Sequence, residues 1–336
     1  MMKYNTRKMS LSQKIANTKF NFAGNLKYFL IAPLAIALVG LILLFTVGFN
    51  KGIDFTGGTI LNLILGDDLN DQAYYTEAIT KIDDVIEENG LKVSLYQLNE
   101  TDSGLALSIR YQDKKGLSEE EMNDLNEKVR KELLVKFGLD PNNDEDAQKI
   151  QDSQRIGATT SAELLTNAFL SLLVVVAAIL VYIGFRFELT SGMAAILALF
   201  HDVIIMGALV LIFRIQINSS FIAALITIVG YSINNTIIIF DRIRELSKSE
   251  LYEKAPNQVI ANTAIKDTLT RSIYTTITTF VTILCVAILG VPSIQEFALP
   301  IIFGLLAGAS SSIFIAPGLW AIAYTKKKTK KQNVTQ

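Results

Sequence analysis

Six long apolar stretches, separated by polar segments, organise this chain of 336 residues. Each approaches the ~20 consecutive apolar residues that an α-helix needs to cross the hydrocarbon core of a bilayer. The pattern therefore predicts a membrane protein with six spans, which places both termini on the same side. The predicted spans cover residues 29–49, 164–185, 191–213, 217–240, 272–290 and 297–323.

A polar segment, residues 50–163, separates the first span from the second, and its periodicity predicts a small α+β domain. Ser118 followed by Glu121 has the spacing of a capping box, which marks the start of a helix. The order β-α-β-β-α-β is typical of a ferredoxin-like sheet with helices on one face. The predicted elements are Thr59–Leu65, Asp71–Asn89, Val93–Leu98, Leu105–Tyr111, Ser118–Phe137 and Ile150–Ile156.

Charge predicts which segments face the cytoplasm. Residues 50–163 hold 24 Asp and Glu against 12 Lys and Arg, whereas the termini and the connection 241–271 are basic. Because cytoplasmic loops are enriched in Lys and Arg, the basic segments are expected inside. The predicted organisation is a cytoplasmic segment 1–28, a first span 29–49, an extracytoplasmic domain 50–163, a bundle of five spans 164–325 and a basic cytoplasmic tail 326–336. The basic residues are Lys3, Arg7, Lys8, Lys14, Lys19 and Lys27, then Arg242, Arg244, Lys248, Lys254, Lys266 and Arg271, then Lys326, Lys327, Lys328, Lys330 and Lys331.

Composition narrows the possible functions. The chain is 50% hydrophobic and 19% charged, which fits a membrane protein with a water-facing part. A single cysteine, Cys285, excludes an intramolecular disulfide, and a single histidine, His201, leaves no ligand set for a metal. The sequence has neither a nucleophile elbow nor a glycine-rich phosphate loop. We therefore expect a protein that is not an enzyme and that needs no cofactor.

A glycine-rich segment follows the first span and reads Gly52-Ile53-Asp54-Phe55-Thr56-Gly57-Gly58-Thr59. Glycines around one aspartate allow tight turns and leave backbone amides free to bond. Taken alone, such a segment fits any strained turn at the membrane surface.

A second motif ends the fourth span and reads Gly230-Tyr231-Ser232-Ile233-Asn234-Asn235-Thr236-Ile237-Ile238-Ile239-Phe240-Asp241-Arg242-Ile243-Arg244-Glu245. Together the two segments resemble the signatures G-x-D-F-x-G-G-T and G-Y-S-x-N-D-T-V-V-V-F-D-R-I-R-E of the SecD/SecF family, in its SecF branch. One position departs from the pattern, because Asn235 stands where the family has Asp. The motif residues carried over are Asp54, Phe55, Gly57, Gly58, Gly230, Tyr231, Ser232, Asp241, Arg242, Arg244 and Glu245, and further matches are Arg186-Phe187-Glu188, His201-Asp202, Arg271 with the threonines after it, and Ser310 to Pro317.

Polar residues inside the predicted spans are the candidate functional groups, since an ionisable group at bilayer depth is costly unless it faces protein or water. His201 and Asp202 fall near the middle of the third span, and Asn234 and Asn235 fall in the inner half of the fourth. Adjacent residues point about 100° apart on a helix, so His201 and Asp202 are predicted not to pair with each other. Each is expected to bond another span, either as a packing contact or as a protonatable pair.

Arg271, Thr275, Thr278 and Thr282 are spaced i, i+4, i+7 and i+11 and form a polar stripe on the fifth span. The stripe is predicted to face the bundle interior, although Arg271 could instead reach the inner headgroups. The resemblance implies that Arg271 and the acid at the position of Asn235 serve proton passage. An amide cannot titrate, so the carboxylate is expected from a SecD partner, with Asp202 as a second candidate. The alternative is a homologue that has lost proton coupling and acts as a scaffold.

The resemblance implies an RND-superfamily half-transporter in the bacterial cytoplasmic membrane. Its expected partners are SecD, a SecYEG-type channel, YajC or YidC-like subunits and the translocating polypeptide, and its expected role is proton-motive-force-dependent protein export. An RND-type exporter of small molecules or lipids is the rival interpretation. Such exporters usually carry twelve spans and two large outer domains, whereas six spans and one domain are predicted here.

Overall fold

The computed structural model describes residues 15, 18, 20–101, 104–114, 116–290 and 292–324. The tail predicted at 326–336 and most of the basic N-terminal residues lie outside them. In chain order the elements are α1 (Leu26–Thr46), a short α2 (Ile53–Thr56), β1 (Gly58–Ile64), α3 (Gln72–Glu88), β2 (Lys92–Thr101), β3 (Gly104–Gln112), α4 (Glu119–Lys136), a short α5 (Asp144–Ala147), β4 (Ile150–Ile156), α6 (Ala158–Arg186), α7 (Leu189–Ile212), α8 (Ser219–Ser247), α9 (Asn257–Leu289) and α10 (Pro292–Ser310).

Six helices of the described residues are long and apolar enough to cross a membrane. They are α1, α6, α7, α8, α9 and α10, the last continuing through a π-helical turn at Ser311–Ile315 and on to Tyr324. These helices coincide with the six predicted spans. The prediction of a multi-pass membrane protein is confirmed.

The α8 and α9 helices are longer than the spans predicted for them. The fourth span is predicted to end at residue 240 and the fifth to begin at residue 272. Residues 241–271 were predicted to be a connection, yet α8 runs on to Ser247 and α9 begins at Asn257. Both extensions are amphipathic, and Ile243 and Ile265 pack into the same buried cluster. Hydropathy reports only the part of a helix inside the membrane, so it missed helical turns that protein packing stabilises.

The segment between β1 and β4 forms one antiparallel sheet with strand order β2-β3-β1-β4. Its core lies between the sheet and the helices α3 and α4, where Leu63, Ile82, Leu107 and Leu133 are fully buried. The four predicted strands and two predicted helices are present within about two residues of their predicted ends, apart from β2, which runs on to Thr101. The α+β prediction for this segment is confirmed at this level.

Side-chain hydrogen bonds stabilise this domain at the start of α4 and in the core. The predicted capping box is present, since the Ser118 hydroxyl accepts from the Glu121 amide and the Glu121 carboxylate accepts from the Ser118 amide. The bond from the Ser118 amide lowers the pKa of Glu121. In the core, the hydroxyl of Tyr111 donates to Asn126 over 2.9 Å, and burial raises the pKa of that phenol.

Close approach of α10 to α8 depends on glycine. A Cβ atom added at Gly304 would lie 2.5 Å from Cγ2 of Ile228, and one at Gly308 would lie 3.1 Å from Cβ of Ser232. Gly304 and Gly308, which have G-x-x-x-G spacing, therefore let the backbone of α10 pack directly on side chains of α8, as small residues allow in membranes.

Replacing Gly304 by alanine should lower the free energy of unfolding by about 1–3 kcal/mol, because the added methyl group overpacks the contact with Ile228. Gly207→Ala is the matched control, since nothing lies within 4 Å of a Cβ added there. Thermal unfolding of both variants in detergent measures the difference. Equal stability of the two variants would contradict the packing described for α10.

Candidate functional site

A buried carboxylate lies where three helices meet in the middle of the bundle. Asp202 on α7 is fully buried. The hydroxyl of Ser232 on α8 donates to its Oδ2 atom, and the hydroxyl of Ser311, at the π-helical turn, donates to the same atom over 2.8 Å. These donors compensate for the loss of water around the carboxylate.

His201 also contacts the carboxylate, which corrects the prediction that the two neighbours do not pair. Its Nδ1 atom lies 2.9 Å from Oδ1 of Asp202. The 100° separation describes where the Cβ atoms point, whereas Nδ1 lies close to the backbone and a carboxylate can turn to meet it. The Nε2 atom is buried and has no partner among the described residues. The predicted bonds from Asp202 to other spans are present in addition.

Asn235 lies one turn from Ser232 on the same face of α8 and is 1% exposed. Neither its Nδ2 nor its Oδ1 atom has a hydrogen-bond partner in the described part of the chain. A buried amide without partners is rare in folded proteins, so this position marks an unusual site. Its neighbour Asn234 points the other way and is exposed.

The polar stripe of α9 does not face the interior of this bundle, which corrects the prediction for Arg271, Thr278 and Thr282. These three side chains are exposed, and Thr275 is half-buried. Each threonine hydroxyl donates to the backbone carbonyl four residues earlier over 2.9–3.0 Å. Arg271 has no ion-pair partner among residues that the structure describes. Periodicity shows that polar residues share one face of a helix, but not what that face contacts.

A second unusual face lies next to this stripe. Ala223, Thr227, Gly230 and Asn234 recur at helical spacing on α8, and all are exposed. The hydroxyl of Tyr231 donates to Thr276 over 3.2 Å and ties α8 to α9 beside this face. Small and polar side chains therefore occupy the outward surface of two neighbouring membrane helices.

The glycine-rich motif joins the α+β domain formed by β1 to β4, which we call the outer domain after its predicted location, to the start of α8. The Asp54 carboxylate in α2 accepts from the backbone amide of Ser219 over 2.9 Å, and a negative charge is favourable at the N-terminus of a helix. Gly57 has a φ of 73°, a conformation that favours glycine. A Cβ atom at Gly58 would lie 2.5 Å from both Ile53 and the carbonyl of Tyr111. Phe55 is half-buried in the same short helix.

The second motif ends in ion pairs on the opposite side of the bundle. Asp241 pairs with Arg186 over 2.7 Å, which links α8 to α6. Arg242 pairs with Asp267 and with Glu245, each over 2.7 Å, and so links α8 to α9. Arg244 is exposed and borders a cavity of about 120 Å³ together with Trp320 and Tyr324.

Sequence reasoning did not assign the donors to Asp202. Ser232 was noted only as a motif residue, and Ser311 only as part of a matching segment. A hydroxyl in an apolar helix is a weak signal, because it can bond its own backbone. Arg110, which pairs with Glu296 at the start of α10, was also missed, because an arginine within a strand cannot be distinguished by sequence from a surface residue.

Comparisons with known proteins agree with these motifs. The family model described as "Protein export membrane protein SecD/SecF, C-terminal" matches residues 139–326, and that described as "SecD/SecF GG Motif" matches residues 42–63.

Relatives match over most of the chain. The chain is 35% identical over 292 residues to protein translocase subunit SecF of Helicobacter pylori, covering 86% of this chain and 83% of that protein. It is 33% identical to SecF of Calditerrivibrio nitroreducens, covering 94% of this chain and 97% of that one. The crystal structure of SecDF, a translocon-associated membrane protein from Thermus thermophilus, superposes with a TM-score of 0.71 at 31% identity. That match covers 95% of this chain and 40% of the SecDF chain. The resemblance stated from the motifs is confirmed.

Replacing Asp202 by alanine should lower the free energy of unfolding by about 1–3 kcal/mol, because the hydroxyls of Ser232 and Ser311 lose their acceptor in a dry core. Asp202→Asn keeps one acceptor oxygen and should cost less. Thr227→Ala, on the exposed face of α8, is the control and should change stability by no more than about 0.5 kcal/mol. Unfolding in detergent checks all three, and a wild-type stability for Asp202→Ala would show that the carboxylate does not organise the core.

Proposed function

The chain belongs to the SecD/SecF family of protein-export membrane proteins, and from this we propose that it acts as the SecF-type subunit of a protein translocase in a bacterial cytoplasmic membrane. Its relatives are named protein translocase subunits, which is a transport role. The SecDF relatives from Bacillus subtilis and Thermus thermophilus are longer chains, of which this one covers 39% and 40%. The fused name indicates SecD as the partner.

The observation that carries the proposal is the outward polarity of α8 and α9. Thr278 and Thr282 of α9 and Thr227 and Asn234 of α8 are exposed within the predicted spans, and Arg271 is exposed directly before the fifth. The threonine hydroxyls bond their own backbone carbonyls, but lipid cannot hydrogen-bond the Asn234 amide, and no acid of the described residues pairs with Arg271. These two groups support a second protein as the cover of this face. Small residues such as Gly230 allow a partner helix to approach the backbone closely. A SecD subunit is the partner that the family offers.

We infer that the partner also supplies the titrating carboxylate of the proton path. Asn235 cannot take up a proton, and Arg271 faces outward without an acid in the described part of this chain. A carboxylate on the facing SecD helix would pair with this guanidinium when ionised and release it when protonated. Such a change of partner is the kind of local electrostatic event that drives a two-state switch.

Asp202 is the second candidate within this chain. When ionised, it accepts hydrogen bonds from Ser232 and Ser311, and protonation would turn one of its oxygens from an acceptor into a donor. His201 contacts Asp202 through Nδ1, and its buried Nε2 atom has no partner among the described residues. A free polar atom next to the carboxylate supports the proposal that the hydrogen bonds of this site can rearrange.

The finer features of the fold belong to the same proposal. The outer domain is of the ferredoxin-like class, which the β2-β3-β1-β4 order supports, and the bundle is an RND-type half. Both termini are cytoplasmic, and the outer domain moves to assist a polypeptide leaving a SecYEG-type channel, with YajC or YidC-like subunits as further neighbours. The predicted domain boundaries at 28, 49, 163 and 325 stay a prediction.

Co-purification from the native membrane tests the partner surface. A SecD-like chain should co-purify with the wild-type protein, and Gly230→Leu should weaken its recovery, because the leucine blocks the face of α8. Gly184→Leu is the matched control, since both glycines are exposed with nothing within 4 Å. Equal recovery with both variants, or absence of a SecD-like chain from wild-type preparations, would overturn the proposal.

Asn235→Asp distinguishes the two accounts of proton coupling. If SecD supplies the carboxylate, proton-gradient-dependent export should stay at the wild-type level, because the path is already complete. Export of a secreted protein into membrane vesicles, with and without a protonophore, measures that part of the activity. An increase in the protonophore-sensitive part would instead show that this chain has lost coupling and serves as a scaffold.

A further inference from the structure

A buried ion pair links the outer domain to the bundle. The Nη1 atom of Arg110, near the end of β3, lies 3.4 Å from both carboxylate oxygens of Glu296, in the first turns of α10. Their side chains are 13% and 12% exposed. Ion pairs on open surfaces contribute little, but removing one partner of a buried pair leaves an uncompensated charge. This contact therefore has energetic weight that the exposed pairs of the domain lack.

Amide side chains from both bodies complete the contact. Gln97 of β2 accepts from Nη2 of Arg110 over 3.0 Å, and Gln216, before α8, accepts from Nη1 over 3.5 Å. Asn218 donates to Glu296 over 2.5 Å and also caps α8 by accepting from Phe221. The guanidinium and the carboxylate are thus both oriented by groups around them.

Arg110 lies on the side of the sheet that α3 and α4 do not cover. Its neighbours Ile109 and Tyr111 point into the domain core, so alternation along the strand directs Arg110 to the opposite face. Beside the ion pair, a cavity of about 210 Å³ separates this face from the bundle and is lined by Leu95, Gln97, Gln216 and Leu299. A polar contact next to a cavity is typical of domains that can move relative to each other.

The helix that carries Glu296 also reaches the buried carboxylate. Ser311, which donates to Asp202, lies about 22 Å along the helix from Glu296 at 1.5 Å per residue. Pro300 lies between them and cannot donate to the carbonyl of Glu296, so the first turns of α10 can tilt against the rest. The π-helical turn at Ser311–Ile315 adds a second irregular point.

We propose that the Arg110–Glu296 ion pair is the joint that positions the outer domain and transmits movement of α10 to it. The second part of this proposal, transmission of movement, rests on the proposed function in protein export. The positioning of the domain is a separate claim and can be measured without export.

Charge exchange tests the joint. Glu296→Arg and Arg110→Glu each place like charges together, and both should broaden the separation of the outer domain from the bundle. The double exchange should restore the wild-type distribution, because it re-forms the pair in reverse. Glu296→Gln removes the charge with little change of shape and should give a smaller effect in the same direction. This milder variant keeps the test valid if the reversed variants do not fold.

Pulsed electron paramagnetic resonance measures the separation between spin labels at Val135→Cys and Leu289→Cys, which are exposed positions, in a Cys285→Ala background.

The pair formed by Arg155 and Asp113 is the matched control. Its atoms lie 3.2 Å apart with side chains 17% and 12% exposed, but both residues belong to the outer domain. Arg155→Asp should weaken the domain without changing its separation from the bundle.

Export provides the second measurement. Each single reversal should lower protonophore-sensitive export about fivefold or more, the lower end of typical coupling between sites, and the double exchange should restore it. The proposed role of the ion pair would be wrong if both reversed variants kept the wild-type label separation. It would also be wrong if the double exchange restored neither the separation nor the protonophore-sensitive export. If wild-type export is insensitive to protonophore, the proposed proton coupling fails, while the measured separations still decide whether the ion pair positions the domain.

Discussion

A fully buried carboxylate in the middle of an apolar bundle is the constraint on which the other features of the bundle depend. Asp202 has to be met by donors, and the two hydroxyls that meet it come from α8 and from the turn after α10. Those hydroxyls reach it only because Gly304 and Gly308 let the two helices come close. The glycine contact, the serines and the π-helical turn at Ser311–Ile315 are therefore parts of one solution to the cost of burying a charge.

The bundle carries polar side chains both in its interior and on one outward face. Inside the bundle His201, Ser232 and Ser311 contact Asp202 and Asn235 stays without a partner among the described residues, whereas Arg271, Thr278 and Thr282 lie on the outside of α9. In a soluble protein an exposed amide such as Asn234 is unremarkable, but within a predicted membrane span it agrees with the proposed contact to another protein.

Hydropathy was enough to predict the six spans and the polar domain between the first two, because the length of a span follows directly from the thickness of a bilayer. The apolar, branched and extended character of their residues predicted β1 to β3, whereas β4 at Ile150–Ile156 carried only a weak signal and completed the expected order of elements. The sequence did not show which distant residues each polar side chain contacts. It placed Arg271 on a polar face of α9 but carried no information on what that face contacts. The angle between neighbouring Cβ atoms predicted that His201 and Asp202 do not pair, whereas their side chains are long enough to meet. The roles of Ser311 and Arg110 were missed for the same reason, since each depends on a partner far away in the chain.

The cap on α8 has a consequence for how the protein is made. Asp54 and Ser219 are 165 positions apart, and the earlier residue is synthesised before the later helix exists. The acceptor for the first amide of α8 is therefore already part of the chain when that helix forms. The order of synthesis thus lets a late helix complete its end against a segment made long before it.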